Sequence, residues 1–330
     1  IRRPPRSTPK PSSAASDVYK RQVLDETPLI DGHNDLPYVY TLRAEGHLDE
    51  MPFTDDLTKI DRPTHTDLTR LRNGRMGGQF WSVYIPIKAY PGGPGDTARV
   101  LRQIDLVHRL IERHPDALDL ALTSDDIRRI HKSRKIASLM GMEGGHAIED
   151  SLATLRMLYR AGARYMTLTH SKGLRWADSA TDESRVGGLS QFGREVVREM
   201  NRMGMLVDLS HVSVDTMHDA LDVSEAPVIF SHSSAFAQTG HKRNVPDDVL
   251  RRVKDNKGIV MVTFFHTYVS EEVRLAWAAA TEEIKAMTND PEERRALTNE
   301  RRPSLPRPTL SDVADHIDHI RRLIGVDHIV

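Results

Sequence analysis

The chain of 330 residues contains no cysteine. Disulfides and thiolate metal sites are therefore both excluded, and any metal ion has to bind to His, Asp or Glu side chains. The sequence also lacks an uninterrupted apolar run of roughly 18 to 20 residues, which a membrane-spanning helix requires. We expect no membrane span, and we leave the compartment open between cytoplasm and periplasm because cysteine usage cannot decide it.

Positive and negative charges are also nearly balanced in the sequence. Lys and Arg number 46 and Asp and Glu number 47, which gives a formal net charge of −1. Nucleic-acid binding depends on clustered Lys and Arg, so a balanced chain without a concentrated basic face predicts no nucleic-acid partner. The length fits one large domain or two modest ones.

The first 22 residues are rich in Pro, Ser and basic residues and have no apolar periodicity. This composition predicts a disordered leader over residues 1–22. The leader lacks the apolar run of a signal peptide, and its abrupt end before Val23 is typical of a segment that is not native to the protein. We therefore assign residues 23–330 to a single domain.

Seven short apolar runs alternate with segments of helical spacing. The runs cover residues 29–32, 79–86, 136–142, 164–169, 205–210, 227–231 and 258–265. Buried strands that alternate with amphipathic helices favour parallel βαβ units, and this number of strands predicts an α/β fold of the TIM-like (β/α)8 barrel type. A doubly wound open sheet is the alternative, although no glycine-rich phosphate-binding motif follows the first run.

The C-terminal part of the sequence predicts a helix followed by one more strand. Ser311 is the expected N-cap of the helix, and residues 326–330 have the pattern of an eighth strand that is truncated near its start. The preceding residues, 271–308, are highly charged, with a helix predicted over 271–287. We expect a helical insertion near the barrel mouth, and its charge favours a solvated decoration over a substrate lid.

Titratable residues stand at the ends of four predicted strands, where barrel enzymes carry their catalytic groups. The first run ends in Asp-Gly-His-Asn-Asp. Because strand side chains alternate, His33 and Asp35 share one side and can bind one ion. Asp31 has the same phase, so spacing does not choose between the two aspartates. A buried histidine bonded to an aspartate is the alternative for this pair.

The other three strand ends carry Glu143, His211 and His232. Each also has an ordinary explanation: an acid stabilised by a helix N-terminus for Glu143, and hydrogen-bonded core histidines for the other two. Three imidazoles and two carboxylates nevertheless form the ligand set of a hydrolytic zinc or related centre. Five ligands exceed the usual set of one catalytic zinc. We therefore expect two metal ions, about 3.5 to 4 Å apart and bridged by a carboxylate, that generate hydroxide and polarise a carbonyl.

Taken together, the motifs resemble the membrane dipeptidase family, also called renal dipeptidases, which are zinc peptidases with a barrel fold. The resemblance runs from about residue 29 to residue 330. It rests on DGHNDLP, GGQFWSVYIP, GMEGGHAIEDSL, YMTLTHSKGLRWADSATDE, GGLSQFGREVV, GMLVDLSHVS, SHSSA and KRNVPDDVL. Animal members use disulfides and a lipid anchor, so this cysteine-free chain is more similar to the soluble microbial branch.

The resemblance assigns roles to individual residues. It implies that His33 and Asp35 hold one zinc ion, that His211 and His232 hold the other, and that Glu143 bridges both. It adds two residues that contact the substrate. His170 would contact the substrate and the tetrahedral intermediate, and Arg243 would pair with the terminal carboxylate of the dipeptide. Without the resemblance, His170 fits a core residue equally well and Arg243 fits a surface cation.

The implied activity is a zinc-dependent dipeptidase in which a metal-bridging hydroxide attacks the scissile carbonyl of a dipeptide. The resemblance also implies a possible homodimer. In the family a further acidic residue follows the eighth strand, and this sequence ends before that position. A non-catalytic metal-binding barrel is therefore one alternative. Another metal-dependent amidohydrolase is the second, although those often carry His-x-His in the first strand and a bridging Lys.

Overall fold

Strands and helices alternate along the chain in the computed structural model, which describes residues 13–87 and 95–330. The strands are β1 Leu29–Asn34, β2 Met76–Ser82, β3 Leu118–Leu120, β4 Ile136–Glu143, β5 Ala163–Thr167, β6 Leu206–Asp208, β7 Ile229–Ser233 and β8 Ile259–Val262. All seven predicted runs coincide with strands. The short β3 was not predicted, because three residues are too few to produce a recognisable pattern.

Thirteen α-helices occur in the described residues. They are α1 Ser13–Glu26, α2 Leu36–Ala44, α3 Leu68–Asn73, α4 Asp96–Arg113, α5 Ser124–Lys132, α6 Leu152–Arg160, α7 Gln191–Met203, α8 Val214–Val223, α9 Asp247–Asp255, α10 His266–Val269, α11 Glu271–Met287, α12 Pro291–Arg301 and α13 Leu310–Ile324. Short 3₁₀ helices cover Gly145–Ile148, Arg302–Ser304 and Val326–His328. None of the helices in the described part of the chain has both the length and the apolar character needed to cross a bilayer.

The strands form a parallel sheet in the order β1-β2-β4-β5-β6-β7-β8, and β3 pairs with the start of β4. The sheet curves until its ends meet. A Cβ atom built on Gly32 of β1 would lie 2.4 Å from both the Ser231 carbonyl oxygen of β7 and the Met261 sulfur of β8. The predicted α/β barrel is therefore confirmed as a nearly closed barrel.

One seam of the barrel, between β8 and β1, is not sealed by a strand in the described residues. Ile329 makes a parallel bridge to Val260, and the amide of Val262 donates to the Val330 carbonyl at 2.8 Å. The preceding Val326–His328 forms a 3₁₀ turn. Pairing onto β8 thus begins at Ile329, three residues later than the pattern of residues 326–330 predicts.

Two local predictions need correction. Residues 1–12 of the predicted leader lie outside the described residues, but its remainder belongs to α1 rather than to a disordered segment. The span Ser13–Glu26 has no proline and contains several good helix formers. The Asp25 carbonyl near the end of α1 contacts Nε2 of His131 at 3.2 Å. Helix α13 is capped by Thr309 instead of Ser311. Thr309 forms a capping box with Asp312, whereas Ala314, three residues after Ser311, offers no such partner.

Candidate metal centre

The carboxyl ends of β1, β4, β6 and β7 bring three imidazoles around one carboxylate. Nε2 of His211 lies 3.0 Å from Oε1 of Glu143, and Nε2 of His232 lies 3.5 Å from the same oxygen. Nε2 of His33 lies 3.4 Å from the other oxygen, Oε2. The four strand-end residues predicted from the sequence therefore meet at one place.

Glu143 is the centre of this cluster and is only 6% exposed. Burial by itself would raise the pKa of its carboxyl group, but His33 and His211 hold that pKa well below its usual value. Ser82 Oγ also donates to Oε2 at 3.3 Å. Both oxygens contact imidazoles rather than the start of the 3₁₀ helix Gly145–Ile148, so Glu143 is a buried anion that attracts cations.

The structure separates the two aspartates that sequence spacing could not distinguish. Oδ1 of Asp35 lies 3.3 Å from Nε2 of His33. The Asp31 carboxylate instead accepts hydrogen bonds from Gln79 Nε2 at 2.9 Å and from the His33 amide at 3.2 Å. The β1–β2 register is irregular between Asp31 and Asn34, so simple alternation fails there. Asp35, and not Asp31, therefore shares Nε2 of His33 with Glu143.

The protonation of the three histidines reflects their neighbours. Burial lowers the pKa of His33, but Tyr165, Glu143 and Asp35 outweigh it and raise that pKa well above its usual value. Burial and the Arg243 charge hold the pKa of His211 well below its usual value. Burial together with the His33 and His211 charges does the same to the pKa of His232. The cluster thus favours one positive charge beside Glu143, and a bound metal ion would bring further positive charge to this carboxylate.

His170 lies at the edge of the same cluster. Its Nε2 atom is 3.6 Å from Oε1 of Glu143, and its ring centroid is 4.4 Å from that of His211. Burial lowers the pKa of His170, with Glu143 opposing the shift, so the neutral imidazole is favoured. Nδ1 of His170 is buried without a hydrogen-bond partner among the described residues.

Arg243 is buried beside the cluster and is not the surface cation that spacing alone suggests. It is 1% exposed, and its guanidinium carbon lies 5.5 Å from the ring centroid of Tyr268. Nη2 donates to the His232 carbonyl at 3.3 Å and Nη1 to Ser233 Oγ at 3.4 Å. These bonds are long, and Nε has no partner in the part of the chain that the structure describes. The guanidinium therefore keeps donor capacity for an anionic ligand.

One cavity of about 440 Å³ is lined by the seven site residues expected from the sequence: His33, Asp35, Glu143, His170, His211, His232 and Arg243. Its remaining walls come from residues that sequence reasoning missed: Tyr38, Tyr84, Thr263, Phe265 and Tyr268. Tyr84 comes two residues after the end of β2, so a strand-end search extended to aromatic residues would have found it. The volume suits a small organic ligand, since ligand pockets commonly measure about 300 to 1,000 Å³.

The donor atoms form two candidate groups that could hold a divalent metal ion. Within each group, the ligand atoms all lie within 4.8 Å of one another. One group consists of His33, Glu143 and His232, and the other of Glu143, His170 and His211. Glu143 belongs to both groups, as a bridging carboxylate must. The grouping crosses the predicted division of ligands, and Nε2 of His211 lies 2.8 Å from Nε2 of His232. The donors are nitrogen and oxygen only, a set typical of zinc and similar ions.

Comparison with known proteins gives a consistent result. The sequence model described as membrane dipeptidase (Peptidase family M19) matches residues 19–330. Among solved structures, the probable dipeptidase PvdM from Pseudomonas aeruginosa has a TM-score of 0.79 at 21% identity, over 95% of this chain and 85% of that chain. Dipeptidase AC, a metallo peptidase, has a TM-score of 0.71 at 22% identity, over 92% of this chain and 82% of that one.

A third solved structure is a metallo peptidase from Rhodobacter sphaeroides, liganded with a phosphinate mimic of the dipeptide L-Ala-D-Ala. Its TM-score is 0.68 at 22% identity, over 92% of this chain and 84% of that chain. At these identities the three structures show a shared fold.

Proposed function

The chain belongs to the membrane dipeptidase family and is thus a metallopeptidase of the dipeptidase type; from this we propose that it hydrolyses dipeptides with two zinc ions. The ligands in this proposal are His33, Asp35, Glu143, His211 and His232. The observation that carries it is the convergence of three imidazole Nε2 atoms on the two oxygens of one buried carboxylate. We keep the division implied by the resemblance, with His33 and Asp35 on one ion and His211 and His232 on the other.

Two divalent ions in this place supply Lewis-acid polarisation of the scissile carbonyl and a hydroxide nucleophile near neutral pH. The protein's own residues do the rest. Glu143, which is only 6% exposed, balances part of the added positive charge. A neutral His170 with its proton on Nε2 donates a hydrogen bond to the substrate oxygen that becomes negative in the tetrahedral intermediate.

Arg243 restricts the substrate to one whose scissile bond lies next to a terminal carboxylate. Its guanidinium donates a hydrogen bond to the carbonyl of His232, which is itself a proposed metal ligand. A substrate carboxylate bound to Arg243 would therefore lie next to the metal ligands. A planar guanidinium matches a carboxylate with two parallel hydrogen bonds. The phosphinate mimic of a dipeptide in the Rhodobacter sphaeroides relative supports the same substrate class.

The experiment compares a dipeptide, its C-terminal amide and a tripeptide as substrates, by release of free amine. We expect turnover of the dipeptide, slower turnover of the amide because Arg243 loses its anionic partner, and loss of activity with a chelator that added Zn²⁺ restores. A folded, zinc-loaded chain that cleaves none of the three contradicts the proposal and favours the non-catalytic barrel.

The quaternary structure and compartment stay predictions. We propose a homodimer on the resemblance alone, and light scattering of the purified chain would test it by giving the mass of a monomer or of a dimer.

A further inference from the structure

Tyr165 spans the inside of the barrel from β5 to the end of β1. It is fully buried, and its hydroxyl oxygen lies 3.0 Å from Nδ1 of His33 and 3.1 Å from the carbonyl oxygen of Gly32. The ring passes over Gly141 of β4, where a Cβ atom would lie 1.9 Å from the ring carbon that bears the hydroxyl. A glycine in the middle of β4 therefore gives the phenol its path to His33.

The two contacts of this hydroxyl determine where the protons lie. A carbonyl oxygen can only accept, so the single hydroxyl proton of Tyr165 is donated to Gly32. Nδ1 of His33 must then donate its own proton to the phenol oxygen. In the neutral imidazole, the form that binds a metal ion, this leaves the Nε2 atom of His33, which faces Glu143, with the lone pair.

His232 has an equivalent arrangement built from other residues. Oγ of Ser231 lies 2.8 Å from Nδ1 of His232 and donates to Oδ2 of Asp208 at 2.6 Å. Asp208 is fully buried and also accepts hydrogen bonds from Thr167 Oγ1 and from the amides of Ser210 and Ser231. Because the serine hydroxyl donates its hydrogen bond to the carboxylate, Nδ1 of His232 donates to Ser231 Oγ. In the neutral imidazole, Nε2 of His232 is then unprotonated.

We propose that Tyr165 and the Asp208–Ser231 pair are positioning residues that fix the tautomers of His33 and His232, one hydroxyl for each imidazole. The inference rests on the proposed metal centre. When the hydroxyl partner of either histidine is removed, the imidazole proton can move from Nδ1 to Nε2 and the imidazole ring can rotate. Metal binding then has to restore both the tautomer and the ring orientation. Partners of this kind typically change metal affinity by about 10- to 100-fold.

The experiment titrates Zn²⁺ into the metal-free full chain in competition with a chromophoric chelator. Tyr165→Phe and Ser231→Ala each remove one hydroxyl, and each should weaken zinc binding by about 10- to 100-fold at the site of the histidine it supports. Ser231→Thr keeps the hydroxyl and should retain the wild-type affinity. Circular dichroism establishes that each variant is folded.

Tyr40→Phe is the matched control for loss of a buried phenol. Tyr40 is fully buried, and its hydroxyl donates to the Met51 carbonyl at 2.7 Å, away from the cluster. A general packing effect would make this variant behave like Tyr165→Phe, whereas we expect it to bind zinc as the wild type does.

The outcomes separate this inference from the proposed function. Wild-type affinity in both Tyr165→Phe and Ser231→Ala overturns the inference alone. A folded wild-type chain that binds no zinc overturns the proposed function, and the inference with it. If Tyr165→Phe does not fold, the comparison of Ser231→Ala with Ser231→Thr decides, because equal affinities in these two variants also overturn it.

Discussion

Nε2 of His211 lies 3.0 Å from Oε1 of Glu143, the shortest approach of an imidazole to this carboxylate. The contact makes Glu143 the residue on which the proposed pair of metal ions depends. A bridging carboxylate neutralises part of the charge of both ions, and removing a buried ionic partner typically costs about 3 to 5 kcal/mol.

We therefore predict that Glu143→Ala loses bound metal, measured as metal ions per chain by elemental mass spectrometry after dialysis. Glu199→Ala is the control, because Glu199 pairs with Arg156 and Arg202 on helices outside the cluster. Full occupancy in Glu143→Ala would show that this carboxylate does not bridge.

The second prediction concerns substrate binding by Arg243. Arg243→Lys keeps the charge but loses the planar pair of donors, and a hydrogen bond to a charged group is worth about 1.5 to 3 kcal/mol. KM for a dipeptide should therefore rise by roughly 10- to 100-fold while kcat changes much less. Arg252→Lys on α9, where Arg252 pairs with Asp222, should leave both constants at wild-type values. A defect in kcat alone would contradict the assignment.

The third prediction concerns the stability of the barrel at Gly141. A Cβ atom there would lie 1.9 Å from the Tyr165 ring, which is buried on all sides and cannot move away freely. Overpacking of a core typically costs about 1 to 3 kcal/mol, so Gly141→Ala should lower the free energy of unfolding in urea by at least that much. Gly240→Ala is the control, since its nearest atoms lie 3.8 Å away. Equal unfolding midpoints for the two variants would disprove the steric argument.

The fourth prediction is a pH dependence of stability caused by His316. This residue of α13 is buried, and its Nδ1 accepts a hydrogen bond from the Ala235 amide at 2.9 Å. Burial, the largest cause, lowers its pKa below the ordinary value of 6.5. The unfolded chain therefore binds a proton at a pH where the folded chain does not. His316 thus stabilises the fold fully above pH 6.5, and its contribution falls as the pH drops from 6.5 towards the lowered pKa.

Urea unfolding of the wild type and His316→Gln between about pH 5 and 8 tests this sign. The variant should be less stable at the alkaline end because it loses the bond to Ala235. It should also show a shallower decline on acidification, by up to about 1.4 kcal/mol per pH unit. Identical slopes in the two proteins would exclude His316 as a source of acid sensitivity.

Much of the barrel was predictable because strands such as β4 and β5 are buried, largely apolar runs between turn residues. The exceptions have local causes. Leu118–Leu120 is held by its pairing with β4 and is too short to be recognised. The cap of α13 depends on a reciprocal bond between Thr309 and Asp312, and Ser311 satisfies the simpler cap rule without having a partner.

The candidate site was predictable where strand ends alone place the side chain. Glu143 and His232 lie within β4 and β7, so the barrel fixes them. His211 follows β6 in a left-handed conformation, with φ of 70°, and its carbonyl is held by the Ala180 amide at 2.8 Å. Such loop contacts, like the β1 irregularity that separates Asp31 from Asp35, arise from pairing over long sequence distances. Tyr165 gave no signal because an inward aromatic residue in a strand looks like any other core residue.

The central claim is that the five proposed ligands hold two metal ions. The metal content of the folded wild-type chain after equilibration with zinc tests this claim most directly. Elemental mass spectrometry should give two zinc ions per chain, in a sample whose circular dichroism shows it to be folded. A folded chain with no bound metal would contradict the assignment of His33, Asp35, Glu143, His211 and His232 as ligands.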